Sequence, residues 1–323
     1  MMNDQSSVMN KSIGEWGNYM LIKIIILFIL VTGVLMRAQT VDMYFPRFAG
    51  RTYNFIIFKG SQAITLLQGT VPEGGRFRLK IPDGSSPYIG MSRWLLTNTN
   101  EGGGLDMLIS GKDFSVSCTS DKPDQKNIIY TGNPGVKLTD SLLQKQEEIL
   151  TRYQLMQQSV EVFGPKEKSY PVFRKEYQIQ KDYYASFQQA LKMRGDYVGQ
   201  LIPIINIVHG IGNNLCEGES ECVADVKNYI TQELDWQVLY TSGFWMDIID
   251  TWVMMQISVM KNKEEFVADF RKIESRIGNQ ELFADFSERV VYKLLQENKN
   301  EYIDKIAPFA ILSEAFIKEN TVN

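Results

Sequence analysis

Glycine is distributed unevenly along this chain, and that distribution divides the sequence into two halves of different structure. Of the 24 glycines, 13 lie between residues 39 and 135, and only eight lie in the 188 residues that follow. Frequent glycine between short apolar runs is typical of strands joined by tight turns, whereas long segments poor in glycine favour helices. We therefore predict a change from strands to helices at residues 132–135.

The first half alternates apolar and polar residues with a period of two. In residues 76–81 the alternation places Phe77, Leu79 and Ile81 on one face and three cationic side chains on the other. Further strands are predicted at 53–58, 63–67, 105–109, 114–118 and 127–130, with turns at 59–61, 72–75 and 82–84 and a hairpin turn at 110–113. This spacing predicts an antiparallel β-sandwich or barrel over residues 39–135.

The second half repeats its apolar residues with the period of a helix. Helical stripes run from Leu142 to Val160, Phe173 to Leu191, Val223 to Leu234, Trp245 to Val259 and Phe266 to Ile277, and further helical segments are predicted at 282–295 and 302–316. Aromatic residues at this spacing indicate a packed core and not a cofactor site. The prediction is an all-helical domain over residues 136–323, and hence an α+β fold.

The amino terminus carries an apolar run of the length that secretory signals use. Residues 24–36 contain no charged side chain, follow Lys23 and precede Arg37 and Ala38. Signal peptides have about 7–15 apolar residues, whereas a spanning helix needs about 20. We predict a signal peptide at residues 1–38, export to the periplasm or cell envelope, and translation from either Met1 or Met20. An uncleaved anchor is the alternative; after cleavage no stable membrane insertion is expected.

Charge and histidine content restrict the function further. The net charge is −4, it becomes −5 without the first 38 residues, and no block of five like charges occurs. A nucleic-acid partner is therefore not expected. The chain has one histidine, His209, which argues against multi-histidine metal sites. We predict no metal and no cofactor.

The three cysteines fall into two groups. Cys118 follows Phe114 and Val116 on one strand face, so it is predicted to be a buried, inert thiol. Cys216 and Cys222 enclose a segment with three carboxylates, and negative neighbours raise a thiol pKa, the reverse of what a catalytic thiol needs. A structural disulfide between these two residues is our main interpretation, and two free thiols or a redox pair are the alternatives.

Other candidate groups are weaker. His209 could pair with Cys216 as a nucleophile and base, or join both cysteines as a metal ligand, but a partly buried, hydrogen-bonded histidine explains it as well. Asp247 and Asp250 share a helix face, which suits either acid–base hydrolysis or the solvent side of an amphipathic helix. Residues 101–104 contain three glycines, but the Lys-Ser/Thr pair of a phosphate-binding loop does not follow them. They therefore indicate a turn.

Several phrases resemble a known family. They are FKGSQAITLLQGTVPEGGRFRLKIP, PYIGMSRWLL and GGGLDMLISGKDFSVSC in the first half, and SGFWMDIIDTW and KIAPFAILSEAF in the second. They resemble the amino-terminal β-domain of unknown function, and the helices after it, of exported thiol–disulfide interchange and alkyl hydroperoxide reductase-like proteins of the thioredoxin-like group. The resemblance covers about residues 45–316.

The resemblance implies a scaffold without its reactive site. In such proteins a thioredoxin-like domain with a W-C-x-x-C motif follows, but this chain ends at Asn323 and contains no C-x-x-C. We therefore expect no catalytic residue to carry over. The expected function is a non-catalytic binding or docking protein of the cell envelope, whose partner is a thioredoxin-like redox protein or another envelope protein. The alternative is a component of thiol–disulfide exchange or peroxide reduction that acts with a separately encoded thioredoxin-like module.

Overall fold

The computed structural model describes residues 39–99 and 103–320, which belong to one compact unit beginning at Gln39. The predicted signal peptide at residues 1–38 lies outside the described residues. The described chain has an α+β fold, with strands first and helices after them, as the sequence predicts. Helices in these ranges do not combine the length and apolar character that crossing a bilayer requires.

Eight strands of the described residues form two four-stranded sheets. They are β1 (Thr40–Tyr44), β2 (Thr52–Lys59), β3 (Gln62–Thr70), β4 (Arg76–Lys80), β5 (Ile89–Thr97), β6 (Gly104–Ser110), β7 (Phe114–Ser117) and β8 (Ile129–Thr131). The strand orders are β4-β1-β7-β8 and β3-β2-β5-β6, and every pairing is antiparallel except that of β1 with β7.

The inner faces of both sheets contribute to one apolar core. Leu79 and Val116 from the first sheet and Phe55 and Trp94 from the second are all buried in it. The Phe45 ring lies 4.9 Å from the Trp94 ring, centroid to centroid. Side chains that meet between two sheets in this way define a sandwich.

Each predicted strand is present, one predicted turn is wrong, and β1 and β5 were not predicted. Leu79 and Ile81 are fully buried, as the pattern of residues 76–81 predicts. Residues 110–113 do not close a hairpin, because β6 and β7 belong to different sheets. Ile109 and Phe114, on either side of that turn, are both buried in the core between the sheets, so the chain crosses from one sheet to the other there.

Ten α-helices follow in the described chain. They are α1 (Pro134–Phe163), α2 (Tyr170–Arg194), α3 (Tyr197–Val208), α4 (Glu219–Gln232), α5 (Trp236–Tyr240), α6 (Trp245–Met254), α7 (Lys263–Ile277), α8 (Gln280–Gln296), α9 (Asn300–Ile306) and α10 (Glu314–Asn320). A π-helical turn, Met255–Met260, extends α6. The five apolar stripes predicted from the sequence lie on helices, except that Leu234, the last residue of the third stripe, lies past the end of α4.

Two helical predictions need correction. The segment 302–316 is not one helix, since α9 ends at Ile306 and α10 begins at Glu314. Pro308 lies just past the end of α9, where a residue without a backbone N–H does not continue a helix. The sequence analysis also left out α3, whose apolar residues surround Pro203.

The carboxyl-terminal helices enclose an aromatic core, which we call the aromatic interior. Its rings come from α5 to α8 and are Trp236, Trp245, Trp252, Phe266, Phe270, Phe283 and Phe286. The Trp252 ring stacks on Phe266 at 5.1 Å, and Phe286 lies 5.3 Å from Trp236. This burial fixes α5 to α8 relative to one another.

A joint made by the β2–β3 turn fixes the sheets on these helices. Ser61 donates hydrogen bonds from its backbone N and its Oγ to the two oxygens of Asp285, at 2.9 and 2.5 Å. The backbone N of Gly60 donates to the Tyr240 carbonyl at 2.8 Å. A Cβ on Gly60 would lie 1.8 Å from Asp285 Oδ2, so only glycine permits this approach.

A second strand enters the same joint. The backbone N of Met91, in β5, donates to the Thr241 carbonyl at 2.8 Å, and the Tyr88 hydroxyl lies 3.3 Å from that carbonyl. Gly60, Met91 and Trp245 lie in three of the five phrases quoted above, and the Trp245 ring lies beside the Tyr240 ring. These three phrases therefore meet at one structural contact.

Candidate functional site

A cavity of the described chain lies among α2, α3, α4 and the loop before α4. The first wall is α2, where Ala185, Gln188 and Lys192 follow at intervals of three and four residues and so share one face. Phe187 and Leu191 are buried in the adjoining apolar cluster. One side of α2 therefore packs in the apolar cluster, and the adjacent side presents amide, ammonium and methyl groups to the cavity.

The second wall, α3, lies unusually close to α2. Asp196 begins α3 by accepting a hydrogen bond from the backbone N of Gly199 at 2.8 Å. A Cβ on Gly199 would lie 2.7 Å from the Leu191 carbonyl oxygen. Glycine at this position therefore allows the two helices to contact through their backbones, and it leaves Gln200 and Pro203 at the cavity.

The third side is α4 and the segment before it, residues 209–218, which we call the disulfide loop. Asp225 on α4 accepts hydrogen bonds from the backbone N of Asn213 at 2.7 Å and of Asn214 at 3.1 Å. The Asn214 amide donates to its other oxygen. From α2, the Tyr184 hydroxyl donates to the Gly212 carbonyl at 2.7 Å. These bonds fix the loop against two helices.

Cys216 and Cys222 form a disulfide, with Cα atoms 5.4 Å apart, and it links the loop to the first turns of α4. Within that ring Glu217 accepts hydrogen bonds from Lys181 at 3.0 Å and from the Tyr177 hydroxyl at 3.3 Å. The Lys181 ammonium lowers the pKa of the Glu217 carboxyl below its ordinary value. The loop is thus tied covalently to α4 and by hydrogen bonds to α2.

The cavity between these elements has a volume of about 540 Å³, and we call it the amide pocket. Seven of its 14 lining residues carry a carboxamide side chain. These seven residues are Gln188, Gln189, Gln200, Asn213, Asn214, Asn228 and Gln232. A carboxamide offers both donors and acceptors of hydrogen bonds, so this half of the lining is bifunctional and uncharged.

A buried amide network lies directly behind this pocket. Gln146 and Asn206 exchange two hydrogen bonds, at 2.7 and 2.9 Å, and Gln188 Nε2 donates to Gln146 Oε1 at 3.2 Å. Because Gln188 donates through its nitrogen, its oxygen remains as an acceptor. Gln188 is only 9% exposed, and its Oε1 is buried without a hydrogen-bond partner among the described residues.

Tyr229 provides a second unpartnered group at the pocket. Its ring is 6% exposed, and its hydroxyl has no hydrogen-bond partner within the described ranges. Burial, together with the carboxylates of Glu233 and Asp235, raises the pKa of Tyr229 far above its ordinary value. The residue is therefore a neutral hydroxyl that can donate or accept. Buried polar groups usually have partners. These two are among eleven buried side-chain atoms of the described residues that have none, and they are the two that belong to residues lining this cavity.

Two of the three charged groups at the pocket pair with each other, since Lys192 Nζ lies 3.0 Å from Glu233 Oε2. The third, Asp225, accepts hydrogen bonds at both of its oxygens from neutral amides of the disulfide loop and keeps its negative charge. Each charged group of the pocket therefore already has a partner within the fold.

The other cysteine and the histidine lie elsewhere. Cys118 is 2% exposed, as predicted, and its Sγ lies 3.2 Å from Asn127 Oδ1. His209 is exposed at the end of α3, so the interpretation of a partly buried histidine is wrong. The alternative in which His209 and both cysteines bind a metal finds no support, because the two cysteines are bonded to each other and the described residues contain no cluster of three metal-ligating side chains.

Asp247 and Asp250 line a separate groove of about 520 Å³ on α6. Arg289 donates to both oxygens of Asp250, at 2.7 and 2.5 Å, so this carboxylate is an ion-pair partner. Desolvation, reinforced by Asp250, raises the pKa of Asp247, which is exposed. The two carboxylates share a face, as predicted, but only one of them is free to act.

The glycine-rich segment 101–104 is only partly described. Residues 101 and 102 lie outside the described residues, Gly103 precedes β6, and Gly104 is the first residue of that strand. The described part therefore belongs to a connection between β5 and β6, in keeping with the predicted turn.

Sequence reasoning missed Gln188, Asn206 and Tyr229. Gln188 and Tyr229 lie within helical stripes that a periodicity analysis assigns to packing. Asn206 carried a usable signal, because it is a lone carboxamide in the apolar run of residues 201–208 and is 1% exposed. A buried amide in such a run needs a polar partner, and here that partner is Gln146.

Comparison with known proteins adds no relative: this sequence matches no protein-family model, no curated protein and no solved structure.

Proposed function

We propose that this chain is an exported, non-catalytic binding or docking protein of the cell envelope, and that it binds through the amide pocket. The observation that carries the proposal is the lining of that pocket, which holds seven carboxamides and two buried polar groups without partners. Such groups hold a ligand by hydrogen bonds and do not supply a nucleophile or a titrating base.

Most of the described candidates for chemistry are occupied by structural contacts, and the two exposed ones, Asp247 and His209, lie outside the amide pocket. Asp225 holds the disulfide loop, Asp250 pairs with Arg289, and Cys118 is buried in the sheet core. Cys216 and Cys222 are bonded to each other among acidic neighbours, which disfavours thiolate attack. The apolar run at residues 24–36 and the disulfide support export, since disulfides persist in oxidising compartments.

An insulin-reduction assay with dithiothreitol tests the non-catalytic part of the proposal. We expect the purified protein to leave the background rate of insulin precipitation unchanged, and we expect no consumption of added peroxide. Acceleration that disappears in the double variant Cys216→Ser, Cys222→Ser would replace the binding proposal with a redox one.

The second candidate is participation in thiol–disulfide exchange with a separately encoded thioredoxin-like module. The half-buried position of Cys216 and Cys222 favours it, because such a disulfide is accessible to a reductant. Thiol titration separates the two proposals. A structural disulfide gives one free thiol, Cys118, and only after denaturation, whereas a partly reduced pair gives additional thiols in the native protein.

A further inference from the structure

We propose that the ligand of the amide pocket is a neutral, polyhydroxylated molecule of one to two rings, that is, a mono- or disaccharide. This inference rests on the proposed binding function and specifies the class of ligand. It is argued from the charge, the hydrogen-bonding capacity and the size of the pocket.

The charges of the lining give little advantage to a charged ligand. An anion would have to displace Glu233 from Lys192 and would also meet the Asp225 carboxylate. A cation would meet Lys192 and would have to share the Asp225 oxygens that accept hydrogen bonds from the disulfide loop. A neutral ligand competes with neither contact.

Hydrogen-bonding capacity then favours hydroxyl groups. A hydroxyl donates once and accepts up to twice, so two neighbouring hydroxyls match the donor and acceptor of one carboxamide. Five lining amides make no side-chain hydrogen bond to another described residue and so are open to such pairing. They are Gln189, Gln200, Asn213, Asn228 and Gln232.

The two buried groups strengthen this match. Gln188 Oε1 is an acceptor and needs a donor, whereas the Tyr229 hydroxyl can donate or accept. A sugar hydroxyl can satisfy either group. Leaving such groups unpaired costs about 1–3 kcal/mol each, so a ligand that pairs with them gains affinity.

The volume of the amide pocket and the apolar part of its lining also suit a mono- or disaccharide. A cavity of about 540 Å³ falls within the range of about 300–1,000 Å³ that is usual for small-molecule sites. Ala185 and Pro203 add apolar surface to the wall. The C–H face of a sugar ring can lie on such surface while its hydroxyls reach the amides.

Isothermal titration calorimetry on the protein without its signal segment tests the proposal. The neutral probes are glucose, galactose, mannose, N-acetylglucosamine and the disaccharides maltose, cellobiose and chitobiose. Glucose 6-phosphate and tetra-alanine represent an anionic sugar and a peptide. We expect at least one neutral saccharide to bind, and glucose 6-phosphate and tetra-alanine to bind more weakly or not at all.

Two variants locate the binding site, and a third is the matched control. Tyr229→Phe and Gln188→Leu are each expected to weaken saccharide binding about tenfold, since each removes one buried hydrogen bond to the ligand. Gln180→Leu removes another buried amide of α2 whose Oε1 also lacks a partner among the described residues, but Gln180 is not part of the pocket lining. It is expected to bind like the unaltered protein, and circular dichroism checks that all three fold.

The outcomes separate this inference from the proposed function. If no neutral saccharide binds, or if one binds equally well to Tyr229→Phe and Gln188→Leu, the saccharide inference is overturned. Binding of tetra-alanine alone that both variants weaken would overturn the ligand class but keep the binding function. The insulin assay decides the non-catalytic claim independently of these titrations.

Discussion

The helical half of this protein contains two buried regions of opposite character. Around α5 to α8, the aromatic interior packs seven tryptophan and phenylalanine rings against one another. Around α1 to α4, the buried side chains include Gln146, Gln180, Gln188 and Asn206, and the amide pocket opens beside them.

The difference between these regions indicates how the fold separates stability from binding. Buried aromatic side chains contribute large apolar areas, so the aromatic interior should supply much of the folding free energy. Buried amides contribute little net free energy, and an unpartnered one is a cost. We therefore expect substitutions in the first region to change stability and substitutions at the pocket to change binding.

The largest effect is expected at Phe286, which is fully buried and lies 5.3 Å from the Trp236 ring and 5.5 Å from the Phe270 ring. Phe286→Ala removes these contacts and leaves a cavity. The free energy of unfolding should fall by about 3–5 kcal/mol, as measured by urea denaturation. Tyr183→Ala on the exposed side of α2 is the control and should change it by less than about 0.5 kcal/mol. Equal effects would mean that the aromatic interior is not the main source of stability.

Gly60→Ala tests the joint between the sheets and the aromatic interior. The new Cβ would meet Asp285 Oδ2, and φ at this residue is +56°. We expect a loss of about 3 kcal/mol in thermal or chemical unfolding. Gly50→Ala is matched in backbone conformation, with φ of +79°, but has no atom within 4 Å of its Cβ, so only the backbone penalty of about 1–2 kcal/mol should remain. Equal losses in both variants would show that the close approach to Asp285 is unimportant.

The disulfide should contribute less to the free energy of unfolding than the joint does, because it closes a short ring. The double variant Cys216→Ser, Cys222→Ser should lose about 2 kcal/mol of unfolding free energy, the value expected for cross-linked residues separated by six positions. Hydrogen exchange should also become faster at the backbone amides of Asn213 and Asn214. Unchanged exchange there would indicate that Asp225 alone fixes the disulfide loop.

Asp285 makes the joint sensitive to pH. Its burial raises the pKa of the carboxyl above the ordinary value of 3.8, so the folded protein binds this proton more tightly than the unfolded chain. The contribution of this group to stability is therefore greatest at low pH and is lost as pH rises through the raised pKa. Unfolding measured from about pH 3.5 to 7 should show Asp285→Asn gaining stability relative to the unaltered protein as pH rises. A difference that is constant with pH, or that falls, would contradict the assignment.

The sequence predicted most of the elements whose apolar residues repeat regularly, although it missed β1, whose Val41 and Met43 both lie in the core. It also failed where the inward positions are small or polar. In β5 the buried positions include Gly90 and Ser92, so the alternation is not visible there and the strand was missed. The sheet change between β6 and β7 depends on packing between distant segments, which local patterns do not encode. The pocket was missed for the same reason, because Gln188, Asn213 and Tyr229 come from three separate segments.

The central claim is that the amide region is kept for binding and not for stability, and equilibrium unfolding of Gln188→Leu tests it most directly. This substitution removes an unpartnered buried acceptor and also the hydrogen bond from Gln188 Nε2 to Gln146 Oε1. Gln146 Oε1 still accepts from Asn206, so the Gln146–Asn206 pair remains intact. Gln146→Leu, which leaves Asn206 and Gln188 unpaired, is the control and should lose about 2–3 kcal/mol. The account predicts that Gln188→Leu is as stable as the unaltered protein, within about 0.5 kcal/mol, or more stable. A loss of about 2 kcal/mol or more would contradict it, because Gln188 would then be retained for the fold.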